Sequence, residues 1–150
     1  MDLSDLYSNA ILELAANAPQ PGRLAAPDGS ARKVSRICGS VIEVDLVVQD
    51  GVIVQYGHAV SACALGQTSA AVVAREIVGA PVGEVRALRV QMHAMLKETG
   101  APPAGKWRDL RYLEPVRAYR PRHASTLLVF DALVEALDKI ESAESVGVVG

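Results

Sequence analysis

Leu3, Leu6, Tyr7, Ile11 and Leu14 recur at helical spacing, with Ser4 and Asp5 available as caps, and predict a first helix running to about Asn17. Pro19, Pro21, Gly22, Pro27 and Gly29 then predict an extended, irregular connection that no helix can cross. From Ser40 the period changes to two. Ile42, Val44, Leu46 and Val48 alternate with Glu43, Asp45 and Gln49, and after Asp50-Gly51 the even positions Val52, Val54, Tyr56, His58 and Val60 continue the pattern. This is the signature of a β-hairpin. Matching the apolar faces favours a three-residue loop of Gln49, Asp50 and Gly51, which pairs Val48 with Val52, Ser40 with Val60 and Cys38 with Ala62. A strand over 32–37 is expected to extend the sheet.

Beyond Cys63, Leu65, Thr68, Val72, Val73 and Ile77 predict a helix ending at Gly79, with Pro81 just after it. Cys63 is thereby placed at a strand-to-helix junction, where the partial positive charge of a helix N-terminus favours thiolate. Val85, Leu88, Met92 and Met95 mark a further helix before Gly100, its methionines serving as core. Pro102, Pro103 and Gly105 mark a loop, and a short helical piece around Asp109 to Leu113 is expected to stop near Pro115. Leu127, Phe130, Leu133, Leu137 and Ile140 form the stripe of a last helix, followed from Ser142 by a small, polar tail expected to be mobile.

The chain has 150 residues, half of them apolar, which fits one globular domain over residues 1–141 with the tail at 142–150. A net charge of −2 leaves no broad basic surface for nucleic acid or an anionic membrane. Arg117, Arg120 and Arg122 form the nearest thing to a basic cluster, read as a solvated edge or as an anion or partner-protein site. No apolar run approaches the roughly 20 residues of a membrane span, and the first residues lack the pattern of a secretory signal. A cytoplasmic location is expected, and in a reducing compartment the cysteine pair reads as metal-binding, redox-active or simply buried.

Cys38 lies 12 residues before Asp50 and Cys63 13 residues after it, so a hairpin carries both thiols to the end far from the turn. Two thiolates are too few for a closed zinc site or a cluster with four protein ligands. Of the three histidines, His93 falls on an amphipathic helix in a boundary role, and His58 lies on the apolar strand face as a core residue. His123 opens the last helix after Pro121 and is a candidate third ligand. No nucleophile elbow, phosphate-binding glycine loop or His-Glu-x-x-His helix is present, and a Cys-His hydrolase fits the pattern poorly.

Ile37-Cys38-Gly39-Ser40-Val41-Ile42, Ala62-Cys63-Ala64-Leu65-Gly66-Gln67-Thr68-Ser69-Ala70 and the opening Leu6-Tyr7 with its downstream Pro-Gly resemble the U-type iron-sulfur cluster scaffold family of IscU, SufU and the N-terminal part of NifU. The resemblance implies an α+β fold, a three-stranded antiparallel sheet with helices packed mainly on one side and a metal site at one end. It also implies a non-enzymatic role with a cysteine desulfurase and apo iron-sulfur proteins as partners, and iron or a [2Fe-2S] cluster, or zinc, as the bound species. Cys38 and Cys63 match the first two of the family's three cysteines and stand as metal ligands or persulfide acceptors. Ser40 takes the place of the family's Asp, and Ser125 that of its third cysteine, with Ala124 at the preceding His or Lys position.

A serine hydroxyl is a poorer iron or zinc ligand than thiolate, because it is harder and must lose a tightly held proton. Cys38, Cys63 and His123 then make a three-ligand set with an open position. Tyr119-Arg120-Pro121-Arg122 replaces the Pro-Val-Lys type segment that the family offers its chaperone. Three readings follow. The first is a scaffold or carrier of iron or a labile cluster, the second a zinc-bound sulfur acceptor of the SufU type, and the third a metal-free interaction module. A homodimer sharing one cluster would supply four thiols.

Overall fold

A computed structural model describes residues 6–37 and 39–149, with side chains up to Glu144. Its element order is α1 (Asn9–Ala16), β1 (Gly29–Val34), β2 (Val41–Gln49), β3 (Val52–Ser61), α2 (Ala64–Glu76), α3 (Val82–Lys97), 3-10 helices at Gly105–Ala118 and Arg120–Arg122, and α4 (His123–Val149). The strands form one antiparallel sheet in the order β1-β2-β3. The expected α+β architecture is therefore present.

α1 starts later than its periodicity suggested, because Ser8 is its cap and accepts from the Ile11 amide at 3.3 Å. The alternative caps Ser4 and Asp5 lie outside the described residues. β1 spans Gly29–Val34 instead of 32–37, since the chain turns immediately afterwards. There the Ser35 amide donates to the Ser40 carbonyl and the Gly39 amide to the Ser35 carbonyl, each at 2.8 Å. This closes a loop that leaves Ile37 73% exposed.

The hairpin corrects the expected register. Asp50 and Gly51 both have positive φ, 53° and 76°, and form a two-residue turn between Gln49 and Val52. Such turns suit the right-handed twist of the flanking strands, and the glycine meets their conformational demand without steric cost. That pairing would set even positions against odd ones. A bulge cancels the mismatch, because Val48 pairs with Ile53 while Val47 pairs with Gln55, leaving Val54 as the extra residue. Ile42 then faces Val60 and Val44 faces His58, so the apolar faces meet two residues away from the predicted Ser40–Val60 match.

α4 packs across β1 and β2, and α2 and α3 pack against α4. Ile42, Val44 and Leu46 from the sheet join Val72, Met92, Phe130 and Leu133 in one core. The 3-10 helix continues through Pro115 to Ala118, past the expected stop. Its Trp107, Leu110, Leu113 and Val116 recur about every third residue and are all buried, the spacing of a 3-10 face. α4 remains helical beyond Ser142.

On the other sheet face the Pro- and Gly-rich connection is tied down by Arg23, which pairs with Asp45 and with Glu43, and by the His58 amide donating to the Gly22 carbonyl at 3.0 Å. Asp45, fully buried, accepts from Arg23 Nε (2.6 Å) and Nη2 (2.8 Å), Ser30 Oγ (2.6 Å) and the Leu24 amide (3.0 Å). A buried carboxylate is tolerated when its lone pairs are filled in this way. The Arg23 guanidinium holds the Asp45 carboxyl down to about 2.

Candidate functional site

Cys63 is the N-cap of α2, in extended conformation (φ −67°, ψ 172°), and its carbonyl starts the helix by accepting from the Gln67 amide at 2.9 Å. Its side chain makes no cap bond. The half-buried Cys63 Sγ lies 3.6 Å from Ser125 Oγ instead. The predicted strand-to-helix junction is thus where the sulfur sits, and what it faces is the first turn of α4.

Gly66 explains how the two helix starts come so close. A Cβ there would lie 3.1 Å from the Ser125 carbonyl oxygen and 2.8 Å from Ala62 Cβ, tighter than real side chains tolerate. One turn further on, Ser69 Oγ donates to the Thr126 carbonyl at 2.8 Å and fastens α2 to α4. Ser125, 2% exposed, donates to the Arg122 carbonyl at 3.2 Å, which leaves its oxygen free to accept from the thiol. Thr126 Oγ1 donates to the same carbonyl at 2.8 Å. The N-termini of α2 and α4 are thus brought together at the Cys63 side chain.

His123, 7% exposed, opens α4 two residues before Ser125. Its Nε2 lies 3.0 Å from the Val116 carbonyl and 3.1 Å from the Arg117 carbonyl. Facing two carbonyl acceptors, Nε2 is the donor, so Nδ1 is the nitrogen that carries the lone pair whenever the ring is neutral. Metal-binding imidazoles are commonly oriented this way, by donation from the nitrogen that does not ligate. Ser40 is buried at the base of the 35–40 loop. Cys38 lies outside the described residues. Among the described residues no three His, Cys, Asp or Glu side chains converge as a metal-binding group, and the contact the site does contain is that of Cys63 with Ser125.

The other histidines take the structural roles expected of them. His58 is buried, its Nδ1 2.7 Å from the Tyr56 hydroxyl, and burial lowers its pKa from the usual histidine value. His93 Nε2 lies 2.8 Å from Asp131 Oδ1 at the surface, beside Arg89. The basic cluster divides. Arg117 donates to the Met95 carbonyl (2.6 Å) and the Gly100 carbonyl (2.8 Å), closing the end of α3, whereas Arg120 stays exposed. Sequence reasoning missed Asp45, which alternation had assigned to the polar side, because no local pattern announces that residues 22–24 cover that face.

No family model matches the chain. It is 28% identical over 137 residues to the iron-sulfur cluster assembly scaffold protein IscU of Thermotoga maritima, covering 90% of this chain and 94% of that protein. The crystal structure of a nitrogen-fixing NifU-like protein (N-terminal) from Brucella abortus shares 48% identity and a TM-score of 0.91, over 93% of this chain and 97% of that one. A scaffold protein of the SUF system from Fervidobacterium islandicum AW-1, at 19% identity, shares the fold with a TM-score of 0.76 over 91% of this chain and 99% of its own. Near-half identity along almost the whole length, on the same sheet and helix order, means that the chain belongs to the U-type iron-sulfur cluster assembly scaffold family.

Proposed function

We propose that this protein is a scaffold or carrier that holds iron or a labile [2Fe-2S] cluster through the thiolates of Cys38 and Cys63, with His123 Nδ1 as a third ligand. The observation that carries the reading is the half-buried Cys63 sulfur, free of any cap bond, at the meeting point of two helix N-termini. The orientation of His123 by the Val116 and Arg117 carbonyls supports its inclusion. Ser125 stands where the family has its third cysteine and Ser40 where it has Asp, so both are weaker donors beside the thiols. The acting unit is the domain over residues 1–141, in the cytoplasm, alone or as a homodimer. A cysteine desulfurase supplies sulfur and apo iron-sulfur proteins receive what is built.

One observation favours a second reading. With Ser125 in place of a third soft ligand beside Cys63, that thiol is left to act as nucleophile. In this reading zinc organises the site, and a Cys63 or Cys38 thiolate takes the outer sulfur of the desulfurase persulfide while the desulfurase cysteine leaves as thiolate.

The two separate on oxygen-free purification of wild type, Cys38→Ser and Cys63→Ser, with iron, sulfide and zinc counted and the visible spectrum recorded. Iron and sulfide present in wild type and lost in both variants support the scaffold. Zinc retained by wild type and lost in both supports the acceptor. A colourless, metal-free wild type, indifferent to iron plus a desulfurase, leaves the metal-free interaction module.

A further inference from the structure

Beside the cysteine end lies a hollow of about 490 Å³, within the roughly 300–1,000 Å³ of ligand-sized sites. Its wall combines the apolar Ile37, over the buried Leu96, with the basic Lys97, Arg117 and Arg120, and His123 is among the lining. Among the described residues no carboxylate lines it. Glu114 lies 4.0 Å from Arg117 Nη2, and Glu98 lines the neighbouring groove with Arg89, His93 and Lys97.

Several cations elsewhere are matched to carboxylates: Arg23 to Asp45, Arg75 to Asp109, Arg86 to Asp138, and Arg89 to Asp131. Lys97 and Arg120 are exposed and have no ion pair or hydrogen bond among the described residues. Arg32, Lys33 and Arg36 also lack ion pairs among the described residues, but Lys97 and Arg120 share the wall of one hollow with Arg117. Ile37, 73% exposed at its edge, adds an apolar surface left open by the described residues.

We propose that this hollow is the docking site for an acidic, apolar-anchored peptide segment of a partner protein. A small inorganic anion would answer the charge and leave Ile37 bare, whereas a segment with carboxylates around one aliphatic residue meets both features. Position gives the docking a purpose. Ile37 precedes Cys38 in the chain, and Ala124, also in the lining, precedes Ser125, which touches Cys63. A partner seated here holds its chain beside the sulfur-bearing end, and the contact does not depend on which metal the thiols hold.

The test uses a fluorescein-labelled peptide of alternating Asp and Glu around one Leu, its Asn/Gln counterpart, and anisotropy against the full chain, metal-free and metal-loaded. Wild type is expected to bind the acidic peptide, more weakly as salt rises, and the neutral peptide at least about tenfold less. The double variant Lys97→Glu, Arg120→Glu should lose at least about tenfold in affinity, with an unchanged circular dichroism spectrum and metal content, while Arg108→Glu, away from the hollow, stays within about twofold. Equal affinity in wild type and the double variant, or equal binding of the two peptides, overturns the proposal. So does inorganic phosphate displacing the peptide at equal concentration. Concentration-dependent self-association in sedimentation, abolished by the double variant, would assign the hollow to a second copy and overturn it too.

Discussion

Ser125 is the residue on which the chemistry of the cysteine end turns. Its hydroxyl donates to Arg122 and meets Cys63 at 3.6 Å, close enough that a sulfur at the same place would share any ion held by Cys63. Ser125→Cys is therefore expected to raise iron or zinc retained per chain and slow its loss to a chelator by about tenfold or more, since thiolate replaces a far harder donor. Ser125→Ala should leave metal content within about twofold. A variant cysteine that leaves metal retention unchanged would place the ion away from Cys63.

His58 makes a different prediction. Burial lowers its pKa, so the folded protein binds this proton less readily than the unfolded chain does. Its contribution to stability is then complete above the unfolded value near 6.5 and is lost as pH falls below it. Urea midpoints measured from pH 7.5 to 5 should drop less in His58→Phe than in wild type. Asp45 has the same sign at lower pH: its carboxyl sits at about 2, so its contribution is present above about pH 4 and lost on acidification towards 2. Asp45→Asn strands the Arg23 pairing. Because Arg23 is 43% exposed and can turn to water, the expected cost at pH 7 is about 1–3 kcal/mol, short of the value for a fully buried pair.

At the scale of elements, α2 lies close against α4 through Gly66. Gly66→Val drives a side chain into the Ser125 carbonyl and Ala62. Thermal unfolding should show a loss of about 2–4 kcal/mol, with metal retention falling too because the start of α4, which carries His123, moves away from Cys63. Full stability in that variant would contradict the packing. These elements also mark how far sequence carries. The helices of Val72, Met92 and Leu133 and the placing of Cys63 at a junction were legible, since periodicity and Gly or Pro stops are local signals. The hairpin register was not. A type I′ turn plus a bulge at Val54 and a plain three-residue loop both keep the apolar faces together, and they differ by two residues in what faces what. Pro115 misled for a related reason, because a 3-10 helix tolerates it where an α-helix would break. The burial of Asp45 and the cation-lined hollow by Ile37 depend on segments distant in sequence and left no local trace.

At the scale of the whole molecule, α4 is the spine. It carries the sheet on one side and α2 and α3 on the other, and its first turn supplies His123 and Ser125 to the cysteine end. The sheet contributes the 35–40 loop to the same end, and the hairpin turn lies at the other. The fold thus sets Cys63 where two helices begin, with the basic hollow proposed for a partner beside it. The direct measurement is iron, acid-labile sulfide and zinc per chain after oxygen-free purification and reconstitution with iron and a desulfurase. Iron and sulfide bound with a visible cluster spectrum in wild type, and absent from both Cys38→Ser and Cys63→Ser, are the predicted result. A wild type that takes up neither metal nor sulfide, or variants that bind as wild type does, would contradict it.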